Sequence, residues 1–141
     1  METRGGVAMH GTFGYEMDVR TMSDAEREQV RRQIRDYIRC EQIIRLGDYY
    51  RLTNPEADNR LAAWQFVTKD RTESLVSIVA LHPEANPPFR RIRLKGLTED
   101  ASYQIDGDDG VYSGSALMYA GLPVPVLWGD YQSCRFYIRE I

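Results

Sequence analysis

The chain has 141 residues, 43% of them hydrophobic and 28% charged, and a formal net charge of −3. That balance fits one ordinary domain with at most a small appendage, and it excludes wholesale disorder. The acidic excess argues against a nucleic-acid binder, no apolar run approaches the roughly 18 residues of a membrane span, and a complete (β/α)8 barrel of about 250 residues does not fit.

In chain order, the first twenty residues are short and glycine-rich. Their start, Glu2-Thr3-Arg4-Gly5-Gly6, lacks the apolar core of a signal peptide. Val7-Ala8-Met9 reads as one buried strand, too short to stand alone. Ser23-Asp24-Ala25-Glu26 is a capping box: the Ser23 hydroxyl accepts from the Glu26 N–H and the Glu26 carboxylate reaches back to the Ser23 N–H. Val30, Ile34, Tyr37, Ile38 and Ile44 follow at helical spacing, and Gly47 supplies the stop. A helix is predicted from about Asp24 to Leu46, roughly 34 Å long at 1.5 Å per residue. Arg27, Arg31, Arg35 and Arg39 line one of its faces. A solvated stripe, relieved by Glu28 with Arg32 and Glu41 with Arg45, accounts for them better than an acidic partner does.

After Gly47 β-branched and aromatic runs alternate with turn clusters. Strands are predicted near Tyr49–Leu52, Ala62–Thr68, Ser74–Leu81, Arg90–Leu94, Ser102–Ile105, Val111–Ser113, Val124–Trp128 and Cys134–Glu140. The breaks are Asn54 to Asn59, Lys69-Asp70, Pro83 to Pro88, Asp106 to Gly110 and Gly129-Asp130, with a helical turn over Ser115–Ala120. Pro123 and Pro125 cannot donate to a ladder, which puts their strand on an edge. The fold class is therefore mainly β: an antiparallel sandwich of about eight strands preceded by one long α-helix.

Little here carries chemistry. Cys40 and Cys134 read as reduced, partly buried thiols. His10 and His82 belong to no metal-spaced cluster and no nucleophile motif, so no metal site is expected. Asp106-Gly107-Asp108-Asp109-Gly110 resembles a calcium loop, but the twelfth position is Leu117 where a glutamate is needed, and a hairpin turn fits better. Glu16 with Asp18 and Glu99 with Asp100 are paired acids whose sequence proximity fixes no catalytic geometry. Trp64, Trp128, Tyr103, Tyr112, Tyr131 and Tyr137 are either core or a sugar-stacking platform, and the burial of the two tryptophans discriminates. No phosphate loop is present and no cofactor is expected.

Several motifs together resemble a known family. Glu2-Thr3-Arg4-Gly5, then Gly11-Thr12-Phe13-Gly14-Tyr15-Glu16-Met17-Asp18 and the long helix, are similar to the end of the catalytic barrel of family 36 glycoside hydrolases, chiefly microbial α-galactosidases. The resemblance continues through Phe89 to Leu97, Val111-Tyr112-Ser113-Gly114, Ala120 to Pro125 and Gly129-Asp130-Tyr131-Gln132-Ser133, covering essentially the whole chain. It implies a parent of several hundred residues with an N-terminal β-sandwich, a central (β/α)8 barrel and a C-terminal antiparallel sandwich. On this reading residues 1–48 are the last strand and helix of the barrel, residues 49–141 are the C-terminal sandwich, and Met1 is an introduced start.

The implied chemistry is retaining hydrolysis of terminal α-galactosides. One aspartate attacks the anomeric carbon, and a second protonates the leaving oxygen and later activates water. The family carries these in a Lys-Trp-Asp type motif and a Ser-Asp motif on earlier barrel strands. Lys69-Asp70 lacks the tryptophan and sits in a turn, while Ser23-Asp24 is the helix cap. No catalytic residue can be carried over, and the chain alone is expected to be inactive.

The implied partner is the rest of the enzyme. Without it, the apolar helix face and N-terminal segment are expected to pair in a homo-oligomer. No nucleic-acid or membrane partner is expected, and the setting is read as cytoplasmic. The competing readings are a carbohydrate-binding sandwich module and a free-standing interaction domain.

Overall fold

The computed structural model describes residues 2–54 and 56–141. Met1 and Pro55, the latter inside the expected Asn54–Asn59 break, lie outside the described residues. The elements are α1 (Glu2–Ala8), a 3-10 turn (Val19–Thr21), α2 (Asp24–Leu46), β1 (Asp48–Arg51), β2 (Leu61–Val67), β3 (Glu73–Ala80), β4 (Arg90–Ile92), β5 (Ser102–Ile105), β6 (Val111–Ser113), a π-helical turn (Ala116–Ala120), β7 (Leu122–Val124) and β8 (Ser133–Glu140).

The 23 residues of α2 begin and end where local chemistry dictates. The Ser23 side chain accepts from Glu26 N–H and the Ser23 N–H donates to the Glu26 carboxylate, the reciprocal capping box. At the other end the Gly47 N–H closes on Ile43 O at 3.0 Å. Gly47 is extended, not left-handed. Its missing side chain matters because a Cβ would stand 2.4 Å from Ile43 O and 2.6 Å from Val67 O. The helix thus ends pressed against the end of β2, and the chain turns directly into β1.

Every described strand pairing is antiparallel. Six strands form one sheet in the order β1-β2-β3-β8-β5-β6, and β4 pairs with β7 in a second, two-stranded sheet. This is the predicted mainly-β sandwich with one long preceding helix. The alternation of side chains along a strand gives the large sheet two buried faces. On one face Ala63, Val67, Val76, Ile78, Tyr103, Ile105 and Ile138 pack against Ile92, Leu94, Leu97, Leu117 and Leu122 from the small sheet and its loops. On the other face Phe66 and Leu75 pack against Cys40, Ile43 and Ile44 of α2. Burial on both faces explains why β3 reads as an almost unbroken apolar run.

Two buried polar groups fix the sandwich core. Gln65 donates to Ser74 Oγ at 2.9 Å and accepts from the Lys95 N–H at 2.8 Å, tying β2 to the far loop. The Tyr103 hydroxyl accepts from Thr98 N–H at 3.1 Å and donates to Arg71 O at 2.8 Å, pinning two turns at once. Both groups are satisfied, so their burial costs little and specifies one arrangement of loops.

Two sequence expectations are corrected. Val7–Met9 does not form a strand: Glu2–Ala8 is a helix. An isolated three-residue strand leaves its backbone groups unpaired, whereas a helical turn satisfies them locally, and no described strand pairs with this segment. The strand expected over Val124–Trp128 falls instead over Leu122–Val124, because Pro125 has no N–H to continue the β4 ladder. The residues after it form no strand, and Trp128 is 68% exposed. The Asp106–Gly110 segment is the β5–β6 hairpin turn, with Gly107 at φ +81° and the Asp108 N–H closing on Ile105 O.

Candidate functional site

The helix α2 presents two apolar rows. Gln33, Cys40, Ile43 and Ile44 are buried toward the sandwich and the N-terminal segment. Val30, Ile34 and Ile38, four residues apart, form a second row on a different face. Ile34 is 40% and Ile38 67% exposed. A helix apolar on two sides suits a place between two layers, and the described residues leave the Ile34 and Ile38 side exposed. The expected stripe is thereby split: Ile44 faces inward, Ile34 and Ile38 face out.

The N-terminal segment lies beside α2. Tyr15 donates its hydroxyl to the Gln33 side chain, and Phe13 packs against Tyr37 with ring centroids 5.1 Å apart. Thr3 shares a hydrogen bond with Ser133 at 3.0 Å, and Glu2 accepts from Gln29 at 2.8 Å. Met9 and Met22 are buried. A cleft of about 660 Å³ opens beside this segment, lined by residues that include Arg4, Ala8, Phe13, Tyr15, Glu16 and Met17.

The residues weighed for chemistry are dispersed. Asp18 caps the Val19–Thr21 turn and pairs with Arg20 at 2.9 Å, which holds its carboxyl below the usual range. Glu99 accepts from the Tyr119 hydroxyl at 2.5 Å. Asp70 accepts from Thr72 in the β2–β3 turn, and Ser23-Asp24 caps α2. Asp70 shares an open cleft of about 350 Å³ with Glu73, whose carboxylate accepts from the Tyr137 hydroxyl. Cys40 and Cys134 pack on opposite faces of the large sheet, and burial raises both thiols, Cys134 to about 11. Among the described residues no three of His, Cys, Asp and Glu gather as metal ligands.

The arginine stripe is neutralised locally. Arg31 and Arg35 pair with Glu28 at 3.5 and 3.2 Å, Arg39 with Asp106 at 2.5 Å, and Arg45 with Glu41 at 3.0 Å. Arg32 turns to Glu2 at 3.9 Å, where the spacing had suggested Glu28. Exposed pairs of this kind contribute little to stability and mark a solvated face.

The tryptophans divide. Trp64 is half-buried in the α2 layer, whereas Trp128 stands out with exposed Phe89, Val126 and Tyr131. A cleft of about 260 Å³, lined by Phe89 and Val126 but not by Trp128 or Tyr131, is walled by Pro83, Pro87, Pro88 and Pro125 and carries the Arg60–Glu84 pair at 2.5 Å. The Arg60 and Arg90 guanidiniums hold the Asp58 carboxyl far below the usual carboxylate range. His10, absent from the sequence-based candidates for chemistry, proves to be embedded at the α2 layer. Only its placement by the fold beside residues of β2 and β3 reveals it.

The comparisons agree with this architecture. Residues 61–138 match the glycosyl hydrolase family 36 C-terminal domain, and residues 1–47 match the melibiase family. The bifunctional alpha-galactosidase/sucrose kinase AgaSK of Mediterraneibacter gnavus is 42% identical over 99% of this chain, which covers 15% of that protein. Alpha-galactosidase AgaA of Geobacillus stearothermophilus is 39% identical over the whole chain, which covers 19% of that protein. The galactosidase domain of AgaSK superposes with a TM-score of 0.93 over 99% of this chain and 19% of that one. The alpha-galactosidase of Lactobacillus brevis, 32% identical, superposes at 0.94 over 99% of this chain and 20% of its own. The chain thus spans under a fifth of the curated relatives' length. It belongs to glycosyl hydrolase family 36, whose C-terminal domain it matches over more than half of its residues.

Proposed function

We propose that this chain is the non-catalytic C-terminal part of a retaining α-galactosidase and that its work is to cover and brace one side of the catalytic barrel. Residues 1–48 are the end of the barrel and residues 49–141 the sandwich; the two family matches, which break between residues 47 and 61, support that division. The observation that carries the proposal is the double apolar face of α2. Its inner row is already packed on the sandwich, and its outer row, Val30, Ile34 and Ile38, needs a second layer. The parent hydrolyses terminal α-galactosides with two aspartates that lie outside this chain, so the chain alone is inactive. Isolated, it self-associates through the same row and the adjoining cleft. A cytoplasmic setting is part of the reading, supported by two unbridged thiols on opposite sheet faces.

The reading frame upstream of Glu2 tests the assignment. It should continue into a barrel carrying a Lys-Trp-Asp type motif and a Ser-Asp motif; a frame without them defeats it.

A second reading rests on Trp128. Its indole is exposed, and an exposed indole suits saccharide stacking. Galacto-oligosaccharide binding that Trp128→Ala abolishes would favour this reading, and unchanged or absent binding would remove it.

A further inference from the structure

His10 follows α1 and reaches across to the large sheet. Its Nδ1 lies 3.0 Å from Val7 O, which can only accept, so Nδ1 carries the proton. Its Nε2, 2.9 Å from Ser77 Oγ, therefore accepts from that hydroxyl in the neutral ring. Two aromatic side chains of β2 hold the imidazole: Trp64 edge-on at 4.7 Å and Phe66 stacked at 5.7 Å. Neighbouring Met9 is buried and receives the Arg135 guanidinium on its sulfur at 2.6 Å.

We propose that His10 is an acid-operated latch: neutral, it fastens the N-terminal segment to the outer face of the sheet, and protonated, it releases that segment. Protonation makes Nε2 a donor. The Ser77 hydroxyl, itself buried, must then accept, and its own hydrogen loses its partner. The new cation is enclosed by two rings of β2 that offer no hydrogen-bond acceptor. From β8 it meets Arg135, a like charge, partly offset by Asp36 of α2 at 3.0 Å from that arginine. The other titratable and charged groups of this layer are Tyr37, Arg39 and Cys40 of α2, Tyr49 of β1 against Phe66, and Tyr137 of β8, whose ring lies under the Arg39 guanidinium and whose hydroxyl is engaged by Glu73 of β3. Neither β2 nor Ser77 of β3 offers a carboxylate to receive the charge.

The physical balance agrees with the geometry. Burial, then the nearby Arg135 charge, hold His10 below its ordinary 6.5 against the raising effect of the Val7 hydrogen bond. A depressed folded-state value means the unfolded chain binds the proton more readily. The latch's contribution is then full above 6.5 and is lost as pH falls through the lower folded value. The inference stands on the chain's own contacts and does not depend on the parent's activity.

The test is a proton-NMR titration of the His10 ring in the full 141-residue chain. It is joined to amide hydrogen exchange over residues 5–22 at about pH 7 and at a pH below the measured midpoint, corrected for intrinsic rates. The expected midpoint is below 6.5. Protection over residues 5–22 should be lost progressively through that transition, while Leu75–Val79 in β3 keep theirs. His10→Gln should make the segment's protection independent of pH in this range. Arg135→Gln, which leaves the ring in place, should move the midpoint up. A midpoint at or above 6.5, undiminished protection in acid, or the same loss in His10→Gln would overturn the latch.

Discussion

A Cβ placed on Gly5 would stand 2.3 Å from Gln33 Oε1 and 2.5 Å from its Cδ. Helix α1 therefore meets α2 at a glycine–glutamine contact with no room for a methyl group. Gln33 is fully buried and also receives the Tyr15 hydroxyl, so one side chain anchors two parts of the N-terminal segment. Gly5→Ala gains about 1 kcal/mol of helix propensity and loses about 1–3 kcal/mol to overpacking. The expected net effect is faster hydrogen exchange in α1. Gln33→Ala should partly suppress it, so the double variant loses less than the sum of the singles.

The Tyr103 hydroxyl serves Thr98 N–H and Arg71 O together. Tyr103→Phe keeps the ring in the core and orphans both groups, one of them a donor and one an acceptor. A loss of about 1–3 kcal/mol in chemical denaturation is expected. A loss below about 0.5 kcal/mol, the range of ordinary surface changes, would mean these turns are held by other contacts.

Burial keeps the Cys134 thiol neutral up to about 11 and raises Cys40 as well. The thiolate is the reactive form. At about pH 8 iodoacetamide should label neither cysteine at the rate of a free thiol, whose ordinary value is about 8.5, and denaturant should bring both to that rate. Rapid labelling of Cys134 in the folded chain would contradict its placement against the sandwich core.

Ile34 and Ile38 make few demands on the chain itself, since both point away from the sandwich. Replacing both by glutamate should change its unfolding free energy by no more than about 0.5 kcal/mol. The same change should convert the expected homo-oligomer to a monomer by light scattering at micromolar concentration. A monomeric starting chain would refute self-association through this row.

Much of the fold was legible because its signals are local. Ser23 and Glu26 announce the start of α2, Gly47 its end, and the pairing strands β5 and β6 fall on the predicted residues. The misses are tertiary. Val7-Ala8-Met9 has strand-like composition, but backbone pairing, not composition, decides so short a segment. The strand near Pro123 was displaced because its register depends on β4, thirty residues earlier. The α2 stripe was visible as one apolar set; that Ile44 faces one layer and Ile38 another follows only from where the sheet sits. His10 had no motif around it, since Trp64, Phe66 and Ser77 reach it through β2 and β3. The family resemblance, carried by the segments around Gly11–Asp18 and Phe89–Leu97, reached further than any single-residue argument.

The central claim is that this chain supports α-galactoside hydrolysis without performing it. Incubating the purified chain with 4-nitrophenyl α-galactoside measures this directly. The account predicts no nitrophenol release above the protein-free rate at any chain concentration. Release that rises in proportion to the chain, and survives repurification, would contradict it.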